Sequence, residues 1–211
     1  DGNCRLVAAR IDMGCYEYGS SIDSDGDLLD DEDEKARGID PQDLDTDGDC
    51  VPDGIEFLRG SDARDANSGK LRVPRDAFAI HEAFPLAVEG EEIIVAPGIY
   101  RGNIQIIAPD LTLRSEAPED PAVVASTVLD GDANGAVVSF RGIETPDFVL
   151  AGFTIQNGRA SDGAGISGRR TLATIRNNII CGNAANRRGG GVYMCNGSIS
   201  DNTIRDNTAR Y

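Results

Sequence analysis

From residue 71 onward, short runs of aliphatic and β-branched residues alternate with breaks that are rich in glycine and asparagine. Five such runs follow one another with only a few residues between them: "EEIIVAPGIY", "NIQIIAPDLTLRSE", "STVLDGD", "AVVSFRG" and "FVLAGFTIQNG". Runs of this composition between turn residues are typical of β-strands. The pattern therefore predicts a mostly β region with short connections.

Near the end of the sequence, the pattern becomes an explicit repeat. "ATIRNNIICGNAA" aligns with "GSISDNTIRDNTA" at an offset of 24 residues. The alignment pairs residues of the same type: Ile175 with Ile199, Ile180 with Ile204, Asn178 with Asn202 and Asn183 with Asn207. Inward-facing isoleucines and stacked asparagines at this spacing predict an all-β fold, a parallel β-helix (solenoid) over residues 71–211. A β-sandwich is the alternative, but a sandwich does not normally repeat in sequence.

One stretch has the period of an amphipathic helix, "RDAFAIHEAFPLAVEG". Its apolar residues share one face: Ala77, Ile80, Ala83, Phe84 and Ala87. We expect a helix at about 75–89, with a kink at Pro85. Because the open first coil of a solenoid needs a cover, this helix is predicted to be its N-terminal cap.

The charge of the chain is concentrated in a segment before the solenoid. The formal net charge is −16, and residues 23–65 contain 17 acidic and 4 basic residues, which accounts for −13 of it. Such a balance argues against nucleic acid or an anionic membrane surface as a partner. No apolar run approaches the length of a membrane span, so we also expect no membrane insertion.

This acidic spacer, residues 21–68, contains two copies of one loop. Asp23-Ser24-Asp25-Gly26-Asp27 recurs 22 residues later as Asp45-Thr46-Asp47-Gly48-Asp49. Carboxylates fall at loop positions 1, 3, 5, 9 and 12 of each copy: Asp23, Asp25, Asp27, Asp31 and Glu34 in loop 1, and Asp45, Asp47, Asp49, Asp53 and Glu56 in loop 2. This is the ligand spacing of a calcium loop, in which position 7 adds a backbone carbonyl, here from Leu29 and Val51.

One position departs from that loop pattern. Position 6 normally holds glycine for a sharp turn, but it is Leu28 in loop 1 and Cys50 in loop 2. We expect the missing glycine to weaken the affinity rather than to abolish the site. The plain alternative is a solvated acidic linker. Two complete copies in register favour calcium as the cofactor, and a calcium-bound spacer would be stiff.

Three resemblances to known families follow from these motifs. The segment from about Ile22 to Ser68 resembles thrombospondin type 3 calcium repeats, which implies a calcium-rigidified connector. "LRVPRDAFAIHEAFPLAVEGEEIIVAPGIYRGNIQI", "LAGFTIQNGRASDGAGIS" and the last repeat resemble β-helix domains of the pectate-lyase-like superfamily in large secreted bacterial proteins. This resemblance implies a right-handed parallel β-helix. Residues 1–20, "DGNCRLVAARIDMGCYEYGS", are similar to the closing rung of such a β-helix, here of a preceding or neighbouring one.

The function expected from this organisation is structural. The first hypothesis is a non-catalytic extracellular or cell-surface module, structural or adhesive, that assembles head-to-tail with copies of itself or with neighbouring β-helix modules, with polysaccharide as a further candidate partner. The sequence shows no signal peptide, so export would need a leader outside it.

The alternative is a fragment of a polysaccharide lyase or glycoside hydrolase. Acids and bases are available in the solenoid: Asp130, Asp132, Asp162, Asp201 and Asp206, and Arg169, Arg170, Arg187, Arg188 and Arg205. No spacing among them places an acid and a base together, so we assign no catalytic residue and lean against an enzyme.

The chain has five cysteines, an odd number that cannot all pair internally: Cys4, Cys15, Cys50, Cys181 and Cys195. Cys4 with Cys15 and Cys181 with Cys195 are candidate disulfides, and free buried thiols are the alternative.

Overall fold

The computed structural model describes residues 22–66, 68, 70–107 and 110–210. The chain divides into two compact units, Asp1–Lys70 and Leu71–Tyr211, and each is described by itself. The closing-rung resemblance at residues 1–20 and the candidate pair Cys4–Cys15 lie outside the described residues. No helix of the described ranges is long and apolar enough to cross a membrane.

In the first unit, the two sequence repeats have the same backbone structure. Each loop leads into a short helix, α1 (Asp31–Arg37) or α2 (Asp53–Arg59). Each helix ends at a glycine in the left-handed region, Gly38 (φ 74°) or Gly60 (φ 73°). In both repeats the first helical amide donates to the carbonyl just before the loop: Asp31 to Ile22 (2.8 Å) and Asp53 to Leu44 (3.1 Å).

The second unit is a parallel β-solenoid of about five turns. Its strands are β1 (Leu71–Val73), β2 (Glu92–Val95), β3 (Gly98–Arg101), β4 (Ile104–Gln105), β5 (Thr112–Ser115), β6 (Thr127–Asp130), β7 (Val138–Ser139), β8 (Val149–Ala151), β9 (Thr154–Gln156), β10 (Arg159–Asp162), β11 (Ile166–Thr171), β12 (Thr174–Arg176), β13 (Ile179–Cys181), β14 (Ala184–Arg188), β15 (Val192–Cys195), β16 (Ile199–Ser200), β17 (Thr203–Arg205) and β18 (Thr208–Ala209). They stack into four parallel sheets, of which the largest has the order β1-β2-β5-β8-β12-β16. The predicted fold is confirmed.

The predicted register of the last coils is also confirmed. Ile175 pairs with Ile199 in the largest sheet, and Ile180 pairs with Ile204 between β13 and β17. Ile175 and Ile180 are fully buried, whereas Ile199 is 42% and Ile204 is 50% exposed. The inner isoleucines therefore belong to the core, and their partners in the last described coil are only half covered.

Buried asparagines connect successive coils, as the repeat predicts. Asn178 is 1% exposed; its Oδ1 accepts from the Phe153 amide (2.9 Å), and its Nδ2 donates to the Leu150 carbonyl (3.0 Å). Asn202, one coil later, accepts from the Asn178 amide through Oδ1 (2.9 Å). Because each side chain satisfies backbone groups of neighbouring coils, this column fixes where the chain turns.

The predicted capping helix is shorter than expected. The helical part is α3 (Ile80–Ala83) followed by a 3₁₀ turn (Phe84–Leu86). Pro85 lies within that turn, and a proline ring blocks regular helix from forming through it. The predicted apolar face is buried in the solenoid core at Ala77, Ile80, Ala83 and Phe84, although Ala77 precedes the helix.

The candidate disulfide between Cys181 and Cys195 is wrong. Both thiols are free, because they lie on β13 and β15, which belong to different sheets. Burial raises the pKa of the Cys195 thiol to about 12, so this thiol stays protonated. Cys50 is disulfide-bonded.

Candidate metal centre

Backbone amides orient the carboxylates at the start of each loop. The first aspartate accepts from amides of its own loop: Asp23 from Gly26 (2.7 Å) and Leu28 (3.2 Å), and Asp45 from Gly48 (3.0 Å), Asp49 (3.2 Å) and Cys50 (2.9 Å). The aspartates at positions 1, 3 and 5 then converge. Their nearest oxygens all lie within 4.8 Å of one another in each loop. Of the five carboxylates predicted as ligands in each loop, the structure brings together those at positions 1, 3 and 5.

The aspartate at position 9 is held by the residue at position 2. Asp53 accepts from the Thr46 amide (2.9 Å) and from the Thr46 hydroxyl (2.6 Å). In loop 1, Asp31 accepts from the Ser24 amide and hydroxyl, both at 3.0 Å. These bonds connect the start of each loop to the helix that follows it. The two loops therefore have the same hydrogen bonds between positions 2 and 9.

Position 6 adopts the turn that normally requires glycine. Leu28 has φ 82° and Cys50 has φ 76°, both in the left-handed region. That region costs an L-residue roughly 1–2 kcal/mol relative to glycine. The loops therefore keep the calcium-loop turn in spite of the substituted residue, and the cost falls on the stability of the loop.

Several buried carboxylate oxygens in the two loops have no hydrogen-bond partner among the described residues. Glu34 and Glu56, the position-12 residues, are both 0% exposed. The oxygens without a partner are Asp25 Oδ2, Glu34 Oε1, Glu34 Oε2, Asp47 Oδ2, Asp49 Oδ2 and Glu56 Oε2. A buried ionised oxygen without a partner is costly. A hard divalent cation prefers such all-oxygen sites, so the residues present fit calcium.

The electrostatics of the loops point the same way. Burial raises the pKa of Asp25 and Asp47 from 3.8 to about 6, and neighbouring carboxylates add to the shift. Burial likewise raises the pKa of Glu34 and Glu56 from 4.5 to about 7. Two carboxylates 4.8 Å apart repel each other by about 3 kcal/mol at an effective dielectric constant of 20. Without a cation, these groups therefore oppose the folding of their own loops at neutral pH.

The position-12 residue of loop 1 has neighbours that its sequence position does not suggest. Glu34 groups with Asp27 of its own loop and with Asp53 of loop 2. Gly54 makes this approach possible, since its amide donates to Asp27 Oδ2 (2.5 Å) and a Cβ there would overlap the Asp27 carbonyl. Position 10 is Glu32 in loop 1 but Gly54 in loop 2. This difference is the sequence signal for the close approach of Asp27 to the start of α2.

The remaining predicted ligands are the backbone carbonyls at position 7 of each loop, from Leu29 and Val51. Leu29 and Val51 have buried side chains, and their amides donate to Asp27 Oδ1 (2.7 Å) and Asp49 Oδ1 (2.9 Å). The ligand role of their carbonyls stays a prediction.

The acids and bases of the solenoid do form some groupings. A shallow depression of about 220 Å³ is lined by charged and amide side chains, among them Arg101, Asp130, Asp132 and Asn157. Asp130 accepts from Asn157 Nδ2 (2.8 Å) and from the Asp132 amide (3.0 Å), and Arg101 lies 3.8 Å from Asp132. Two further candidates pair at the surface: Asp162 with Arg187 (3.6 Å) and Asp206 with Arg205 (2.6 Å). These acids are engaged as acceptors and ion-pair partners.

Comparisons of the chain with protein-family models, with curated proteins and with solved structures find no match. The parallel β-helix is therefore shown by the structure alone, and the resemblances to the pectate-lyase-like superfamily and to thrombospondin type 3 repeats stay predictions.

Proposed function

We propose that the two acidic loops bind calcium and that the chain is an extracellular structural or adhesive module, in which a calcium-stabilised connector accompanies a β-helix. The observation that supports this most strongly is the set of buried carboxylate oxygens without partners in both loops. Such oxygens need a positive charge within bonding distance.

Each loop would hold its ion through the aspartates at positions 1, 3 and 5, with the position-9 aspartate, the position-12 glutamate and the position-7 carbonyl as further ligands. Calcium would supply two positive charges to a group of at least three carboxylates. The chain's own amides would keep those carboxylates aimed at the ion. Binding would offset both the repulsion between the carboxylates and the cost of burying them, so folding of the spacer would be coupled to calcium.

An extracellular site suits this chemistry. Calcium modules outside cells work with dissociation constants of about 10⁻⁴–10⁻³ M, and strained loops of modest affinity belong in that range. The strained position 6 of both loops, Leu28 and Cys50, favours modest affinity.

The solenoid supports a structural rather than a catalytic proposal. Its inner faces are filled by aliphatic columns and its turns by asparagine columns, so the described coils supply stacking surface. The last described coil has half-exposed isoleucines, Ile199 and Ile204. We propose that a further coil, from a neighbouring β-helix module or a second copy, stacks head-to-tail on such an edge.

Hydrogen exchange measured on the full chain tests the connector. Millimolar calcium added to metal-free protein should slow amide exchange in peptides from residues 22–66 and leave peptides from 127–198 unchanged, because the loop carboxylates lie in the first unit. Magnesium at the same concentration is the control, since it tolerates irregular oxygen sites poorly. Equal exchange in residues 22–66 with and without calcium would overturn the proposal.

A further inference from the structure

Three buried carboxylates from both repeats meet where the two loops touch. Asp27 is position 5 of loop 1, Glu34 is position 12 of loop 1, and Asp53 is position 9 of loop 2. One oxygen from each lies within 4.8 Å of the others. Asp27 is 3% exposed, and both Glu34 and Asp53 are 0% exposed. This group, the bridging triad, is separate from the two triads at positions 1, 3 and 5 except that it shares Asp27.

Hydrogen bonds hold two members of the triad, Asp27 and Asp53, in place without neutralising them. Asp27 accepts from the Leu29 and Gly54 amides, and Asp53 accepts from the amide and hydroxyl of Thr46. Each carboxylate oxygen has two lone pairs, so these bonds leave capacity for a further ligand.

Glu34 provides independent evidence for a ligand. It is fully buried, both of its oxygens lack a hydrogen-bond partner among the described residues, and one of them contributes to the triad. A carboxylate that is merely structural would normally have a donor at one oxygen or more. The side chain is therefore aimed at a group that supplies positive charge.

We propose that the bridging triad binds a third divalent cation of the calcium type, which links the two repeats. Two oxygens that each bind calcium at 2.3–2.6 Å can lie up to about 5 Å apart, so the spacing in the triad allows one ion to contact all three. The proposal rests on the calcium-binding function proposed above and adds a site that neither loop forms by itself. Its consequence is mechanical, because one ion would join α1 to the first turn of α2.

The chain offers a matched control for this site. Asp31 occupies position 9 of loop 1, and Ser24 holds it as Thr46 holds Asp53. Unlike Asp53, it belongs to no group of three candidate ligands among the described residues. Asp31→Asn and Asp53→Asn therefore remove the same charge from the same loop position, but only the second removes a ligand of the bridging triad.

Native mass spectrometry of the full chain, equilibrated with calcium, counts the bound ions. We expect three ions on the unmodified chain. Each variant removes the position-9 aspartate of its own loop, and only Asp53→Asn also removes a ligand of the bridging triad, so Asp53→Asn should hold one ion fewer than Asp31→Asn. Glu34→Gln keeps the size of the side chain and covers the case in which Asp53→Asn does not fold. It should hold one ion fewer than Glu56→Gln, because both variants remove a position-12 glutamate but only Glu34 belongs to the bridging triad.

Two results would overturn the bridging site while leaving the proposed function intact. One is an unmodified chain that binds only two ions. The other is three ions with equal losses in Asp31→Asn and Asp53→Asn, which would mean that position 9 serves only its own loop. An unmodified chain that binds no calcium would overturn both proposals.

Discussion

Glu34→Gln should have opposite effects on stability with and without calcium. In the metal-free protein, Glu34 is a fully buried carboxylate with no hydrogen-bond partner among the described residues, so removal of its charge should stabilise the first unit. In the calcium-loaded protein, the same change removes a ligand and should destabilise it. Such a reversal of sign is specific to a residue whose charge is tolerated only because a cation is bound.

The magnitude follows from the pKa of Glu34. Burial raises this pKa from 4.5 to about 7, and one pKa unit corresponds to about 1.4 kcal/mol, which gives an upper bound of about 3 kcal/mol at a pH above 7. Relaxation of the loop lowers that figure, and the new amide needs a partner of its own. We therefore expect Glu34→Gln to raise the unfolding free energy of the metal-free first unit by about 1–2 kcal/mol.

The assay is native-state hydrogen exchange of α1 and α2 amides in the full chain at about pH 8, because it reports the local opening free energy of one unit. A gain of 1–2 kcal/mol slows the exchange by roughly 5- to 30-fold. Glu32→Gln, on the exposed side of the same helix, is the control. It should change the opening free energy only slightly, and in the same direction with and without calcium. If Glu34→Gln destabilises the metal-free unit as much as the calcium-loaded one, Glu34 is an ordinary buried side chain and the reasoning fails.

Further predictions concern the asparagine column, the loop turn, the solenoid core and the pH response. Asn178→Ala should lower the unfolding free energy of the solenoid by about 2–4 kcal/mol in urea titration, because it leaves the buried Phe153 amide without an acceptor. Asn202→Ala, in the half-exposed last described coil, should lower the same free energy by only about 1 kcal/mol. Leu28→Gly should raise the thermal midpoint of the first unit, since glycine relieves φ 82° at a net gain of about 0.5–1 kcal/mol; an unchanged midpoint would contradict this. Ile175→Asp should prevent the solenoid from reaching its native circular dichroism spectrum, because it buries an unpaired charge. The pKa of the position-12 glutamates is raised from 4.5 to about 7, so the metal-free first unit should lose stability in urea titration as the pH rises from about 4.5 through 7. The calcium-loaded unit should instead lose its ions as the pH falls through the same range. A metal-free stability that does not change with pH would contradict the raised pKa of these glutamates.

The sequence predicts the last coils better than the first ones, and coil length explains why. The stacked residues 93, 113, 150, 175 and 199 are separated by 20, 37, 25 and 24 residues in sequence, so only the last two steps are similar enough to align. The long step contains the helix α4 (Pro121–Ser126), which the sequence reading missed. Its signal was present, because Asp120 caps the helix and Pro121 occupies its first turn.

The candidate site shows the same limit at the level of single residues. Loop spacing predicts five carboxylate ligands in each loop, and the three that the structure brings together, at positions 1, 3 and 5, are neighbours within one loop. Loop spacing assigns Glu34 only to loop 1, since the contact of Glu34 with Asp53 depends on how the repeats pack around Gly54. Contacts between repeats are set by tertiary packing, which a one-dimensional ligand pattern does not contain.

The most direct test of the central claim is a count of calcium per chain. Metal-free full-length chain is dialysed to equilibrium against millimolar calcium at about pH 7.5, where the position-12 glutamates are largely ionised in the loops. Elemental analysis then compares the protein compartment with the dialysate. The account predicts at least two calcium ions per chain, and less than one calcium per chain would contradict it.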